Sequence, residues 1–324
     1  MSLKLFISGK SLSVGWIILY LAGIYLTGHL AAQPTGGTCT GLLAPGAGQW
    51  LAPTLLNRLL NALLVLVGGV LLLRINNRFS LIQKHTLLPF IFFLLFELVS
   101  PSLTLLGDGN VTAVVLLLLF TLLFHSYQSE KAQPAFLIML TLALCTLFCT
   151  RTVYYIPLFL IGFAQMRYLS FKSLLGALVG LITPFWIGIG LDWIAPSQLT
   201  RLLPDFDLVI PQTIPYDNPQ LWAVVLTALL GLFSGTTMLY TTFNEKRQIR
   251  AYNGFVNLSS VYAALLLILD YHNYTLYLPV LNAAVAMQAA IFFTNNGGRK
   301  PAVISFYLVL ILYIALFTWN LLPA

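Results

Sequence analysis

Residues 111–127 read VTAVVLLLLFTLLFHSY, an apolar run without one formal charge. A run of that length and composition is that of a membrane-spanning helix, which needs about 20 mostly apolar residues. Similar runs recur near 13–31, 53–73, 86–101, 134–150, 153–166, 173–194, 219–241, 254–271, 274–293 and 302–321. Eleven such helices would use roughly 220 residues, leaving only short connections in a chain of 324.

Composition agrees. The chain is 59% hydrophobic and 8% charged, with a mean hydropathy of +0.90. A soluble domain carries about 25% charged residues, so a cytosolic or secreted domain is excluded. The fold expected is an all-α, polytopic transmembrane bundle of about eleven spans, with residues 1–324 forming a single integral membrane domain. The short run 153–166 follows a tight turn at Arg151, so it reads either as a full span or as half of a re-entrant pair.

Sorting the charges gives an orientation. With the N-terminus inside, the inner loops receive Lys4, Lys10, Arg74, Arg78, Lys84, Lys131, Arg167, Lys172, Lys246, Arg247, Arg250, Arg299 and Lys300, thirteen of the sixteen basic residues. Only Arg58, Arg151 and Arg201 fall outside, with Glu97, Asp108, Asp192, Asp205, Asp207, Asp217 and Asp270. The positive-inside rule then predicts N-terminus in and C-terminus out. The net charge of +7 records this insertion pattern, not a patch for nucleic acid. Lys4 and Lys10 precede an apolar run as in a signal peptide, but the run 14–31 is longer than a cleaved signal's core, which predicts a retained first helix.

Three cysteines predict no disulfide framework. Cys145 and Cys149, one turn apart, read as small packing residues, and Cys39 lies in a loop. No spacing suggests a metal or a cofactor. Two outer connections stand out. Residues 32–52 are rich in Gly, Pro and Thr, and 195–218 spread Arg201 and three aspartates among prolines. The second is expected to border an outward-facing cavity; a plain connector is the alternative.

The residues that carry chemistry are the ionisable ones in or beside spans, which are costly there and usually face a cavity or a partner. Arg58 and Glu97 are expected near the outer ends of consecutive helices, as an anion site or as a structural ion pair. Arg151, in CTRTVYY, reads as a phosphate-gripping fork, as a lipid-headgroup contact or as a cap on helix carbonyls; Arg201 is a candidate helper. On the ligand reading, Arg151→Ala is expected to abolish function and leave stability nearly unchanged. Asp192, in GIGLDW, is a candidate general base or metal ligand. Asp270 and His272, in LDYHNY, suggest an acid–base pair or a hydrated helix end. The inner segments RINNRF (74–79), NEKRQIR (244–250) and NNGGRK (295–300) read as turns meeting anionic headgroups.

The stretches NNRFSLIQKHTLLPFIFFLLFELVSPSL, HSYQSEKAQPAF and TRTVYYIPLFLIGF resemble an uncharacterised family of multi-spanning inner-membrane proteins of Bacteroidota-type bacteria. More loosely, the chain looks like membrane glycosyltransferases and polymerases that use polyprenyl-linked sugars. Many of those carry an acid in the first outer loop, and residues 32–52 have none. The resemblance implies a bacterial inner membrane. It implies handling of a polyprenyl-phosphate-linked saccharide at the outer face in cell-envelope biogenesis. Arg58, Arg151, Arg201 and Asp270 would then contact the carrier, while Asp192, Glu97 and His272 would act as catalytic groups. The alternatives are a non-catalytic subunit or assembly factor held by other inner-membrane proteins, and a transporter or lipid flippase. For the transporter, the sequence offers no convincing ionisable residue at mid-depth.

Overall fold

The computed structural model describes residues 10–30, 39–203 and 218–321. The segment expected to border a cavity, 195–218, therefore lies mostly outside the described residues. Among them the chain forms eleven α-helices: α1 Lys10–Leu30, α2 Leu55–Phe79, α3 Leu88–Val99, α4 Asp108–His125, α5 Gln133–Phe148, α6 Ile156–Gln165, α7 Phe171–Gly190, α8 Pro219–Thr241, α9 Arg247–Leu269, α10 Tyr274–Asn296 and α11 Lys300–Leu321. Seven helical stretches are long and apolar enough to cross a membrane, so this is a multi-pass helical membrane protein.

The apolar runs and the helices coincide closely, because each run is bounded by residues that stop a helix. Pro89, Pro134, Pro157 and Pro219 stand in first turns, where a missing N–H costs nothing. Ser170 caps α7 reciprocally with Ser173, the arrangement that satisfies two orphan donors at once. The short run is α6, whose ten residues rise only about 15 Å. A 3-10 turn, Thr150–Tyr155, precedes it and extends the same segment.

The centre of the bundle is α10, buried over nearly its whole length and packed against α3, α4, α8 and α9. Its sequence AAVAMQAA explains the position, since small side chains let several neighbours approach one helix. On the flank, α5 and α7 pack closely through Gly176 and Gly180. A Cβ on Gly180 would meet the Phe136 carbonyl at 2.4 Å. The other face of α7 leaves Leu174, Leu178, Ile182 and Trp186 exposed, a surface suited to lipid.

The helix ends fall into two sets. At one end a disulfide joins Cys39 to Cys149, with their Cα atoms 5.3 Å apart. This corrects the reading of Cys149 as a packing residue; free Cys145 keeps that role. At this stapled end the Asp108 carboxylate accepts hydrogen bonds from the backbone N–H of Cys39 and Ala47, holding the first loop down. Gly46 lies against that carboxylate, and a Cβ there would meet it at 2.4 Å. Asn61, Asn110 and the Leu103 carbonyl form a buried amide chain beside it. Asn320 of α11 donates to the Val99 carbonyl at 3.0 Å, bringing the end of the last helix to the end of α3. The opposite end is joined by Tyr252 to the Phe124 carbonyl and by Gln83 to Glu245.

Candidate functional site

At the stapled end, α9 stops at Asp270, and the turn Tyr271–Asn273 leads into α10. Arg151, on the 3-10 turn before α6, forms an ion pair with Asp270 there. The Asp270 side chain is 2% exposed and that of Arg151 27%. The same carboxylate accepts from the Tyr277 hydroxyl at 2.9 Å and from the Asn273 amide at 2.8 Å. Both oxygens are thus engaged, which is how a buried carboxylate is made tolerable. The void beside the pair, lined by Thr112, Thr152, Tyr155 and Tyr277, has little room. The sequence set Asp270 beside His272, but the imidazole is exposed and makes no hydrogen bond among the described residues.

The other candidates stay apart. Asp192 is exposed on the left-handed turn that ends α7, at a φ of 57°. Arg201 is exposed on the following 3-10 turn. Arg58 lies in the first turn of α2 with its guanidinium against Gly28 of α1. It makes no ion pair among the described residues. Its neighbours Leu55, Leu56 and Leu59 face outward, so the cation sits at an apolar rim.

Glu97 does not pair with Arg58. It is 1% exposed and faces α10, where the Asn282 amide donates to its Oε1 at 3.0 Å. Asn282 lies eight residues into α10, about 12 Å along the helix, and Tyr20, midway along α1, is also close to the carboxyl. Glu97 thus stands in the last turn of α3, where its place in FELVSP suggested, but its side chain faces the interior of the bundle.

A feature that the sequence reading missed lies at the other end. The loop 80–85, the α8–α9 connection and the end of α10 enclose a cleft of about 260 Å³. Lys84, Glu245, Thr241, Asn253 and Asn295 contribute polar groups to it. Asn253 is 1% exposed, and neither its amide nitrogen nor its carbonyl oxygen has a hydrogen-bond partner. A fully buried carboxamide with both functions unused costs stability, and here it borders open space. Nothing in YNGFVN marks Asn253 as special, because its burial depends on helices far away in the chain. Comparison of the chain with known protein families, with curated proteins and with solved structures gives no match in any of the three.

Proposed function

We propose that this multi-pass protein is an inner-membrane carrier that takes a small polar solute into the cleft at Asn253. The observation that supports this reading is the contrast between the two ends. One is held shut by the Cys39–Cys149 disulfide, the Asp108 clamp and the Arg151–Asp270 pair. The other opens on a polar cleft lined by a buried amide, Asn253, that lacks partners. Lys84 and Glu245 line the cleft with opposite charges, and the buried Asn253 beside it keeps one donor and one acceptor without partners, a set that suits a small zwitterion. A site of this size falls just below the range of drug-sized pockets, roughly 300–1,000 Å³. On the orientation given by the basic loops, the cleft faces the cytoplasm, and the disulfide faces the oxidising side, where such bonds persist.

The test is a thermal-shift screen of small polar solutes on the purified protein. A ligand that binds only the folded state raises the melting temperature by mass action. At least one zwitterionic solute is expected to stabilise the wild type and not Asn253→Leu. The variant itself should melt within about 1 kcal/mol of wild type, since removing an unsatisfied buried amide in favour of an apolar group is close to neutral. Equal shifts in both proteins, or none in the wild type, would reject the cleft as the site.

A second reading rests on Arg58. Its unpaired guanidinium at an apolar rim suits a lipid phosphate, including the polyprenyl phosphate of envelope biogenesis. Under that reading Arg58→Ala, and not Asn253→Leu, would cause lipid-linked saccharides to accumulate in cells.

A further inference from the structure

Glu97 is a carboxyl group in the middle of a helical bundle, and no Lys, Arg or His among the described residues pairs with it. Its surroundings are specific. From α10, Asn282 donates through Nδ2 to Oε1. From α1, the Tyr20 phenol is near enough to interact electrostatically. From α11, Tyr313 stacks on neighbouring Phe96, and its hydroxyl shares a hydrogen bond with Thr227 of α8. From α2, the approach to α3 is made by Gly68 and Gly69 against Phe93 and Phe90, which bring no charge.

Two atoms in this contact lack partners: Glu97 Oε2 and Asn282 Oδ1. They belong to the same two side chains that already share the Nδ2–Oε1 bond. Both are acceptors when Glu97 is ionised, so neither can satisfy the other and each is left without a partner, which is costly when buried. A single proton on Oε2 removes both defects. The O–H donates to Asn282 Oδ1, and the acid and the amide close a ring of two hydrogen bonds with no net charge.

We propose that Glu97 is a proton-binding site in the membrane interior, holding its proton at neutral pH in a neutral acid–amide pair with Asn282 that ties α3 to α10. Release breaks the carboxyl O–H bond, and the proton leaves to water. The carboxylate that remains needs solvation that the closed contact cannot provide. Proton release therefore requires α3 and α10 to part far enough for water or a cation to enter. This supplies a buried ionisable group of the kind that a proton-coupled carrier needs, but the proton site stands whether or not the cleft at Asn253 binds a solute.

The test is infrared spectroscopy of the protein in lipid vesicles near pH 7, as the difference between wild type and Glu97→Gln. The introduced carboxamide can make the same two hydrogen bonds without a proton, so the variant is expected to fold. The difference spectrum is expected to show the carbonyl stretch of a protonated carboxylic acid, shifted down in heavy water. Carboxylate bands in its place would overturn the proposal. If Glu97→Gln yields no folded protein, Asn282→Leu serves. Loss of the amide partner should move the acid band to higher frequency, and an unmoved band would overturn the pairing. Melting adds a separate readout. The folded state would hold a proton that the unfolded chain releases, so raising the pH should lower the wild-type midpoint more than that of Glu97→Gln.

Discussion

Arg151 shows how far a single residue can be read. The sequence singled it out as a cation in an unexpected place, and it singled out Asp270 as well. It read Arg151 as a phosphate fork, a lipid contact or a helix cap, and Asp270 as part of an acid–base pair or a hydrated helix end. It did not read them as each other's partner, because partners separated by 119 positions are invisible until the chain is folded. The pair changes the expectation for Arg151→Ala. Removing the cation leaves Asp270 buried with only Tyr277 and Asn273 to hold its charge. Breaking a buried pair from one side costs about 3–5 kcal/mol, and the partial exposure of Arg151 brings the figure toward about 2–3 kcal/mol. Arg151→Ala is thus expected to lower the melting temperature clearly, and adding Asp270→Asn should recover much of the loss. Stability unchanged in the single variant would mean that Asp270 finds another partner. Glu97 and Asn253 show the same limit from the other side. The first was noticed at the end of its helix but without its partner on α10, and the second was not noticed, since burial is a property of the packed helices and not of the local sequence.

At the scale of elements, the apolar runs were easy to read because they differ from their connections in composition and are bounded by prolines, glycines and charges. The re-entrant or spanning character of the short run was left open, and α6 with its preceding 3-10 turn explains the ambiguity. The disulfide was not legible. Three cysteines offer three possible pairs, and the local one, Cys145 with Cys149, points both residues along one helix. The bond instead ties the loop after α1 to the end of α5, across a separation of 110 residues. A native bridge typically adds about 2–4 kcal/mol by restricting the unfolded chain, and more as the closed loop lengthens. Cys149→Ser is expected to lower the melting temperature, and reductant should lower that of the wild type but not of the variant. Cys145→Ser, at a site with no bridge, should behave like wild type in both conditions. If reductant has no effect on the wild type, the loop after α1 is held by the Asp108 clamp alone.

For the whole molecule, the question is which end faces which compartment. The set of helix ends joined by the disulfide, by Asp108 and by the Arg151–Asp270 pair is the set to which the charge sorting gives only Arg58, Arg151 and Arg201 of the basic residues. The other set carries Arg74, Arg78, Lys84, Lys131, Arg167, Lys172, Arg247, Arg250, Arg299 and Lys300. Two independent forces would produce this division. Basic residues resist translocation and stay on the cytoplasmic side, while a structural disulfide persists where the surroundings are oxidising. Both lead to the same expectation: the cleft at Asn253 inside, the stapled end outside, and the chain leaving the membrane outward after α11. A phosphatase fused after Ala324 should be active, because that enzyme folds only outside the cytoplasm, and a fluorescent protein fused at the same place should stay dark. A fusion in the 295–300 turn, one helix earlier, should give the reverse pair of signals. If the fluorescent fusion after Ala324 glows and the one in the 295–300 turn stays dark, the orientation is reversed, and the cleft could not draw its solute from the cytoplasm.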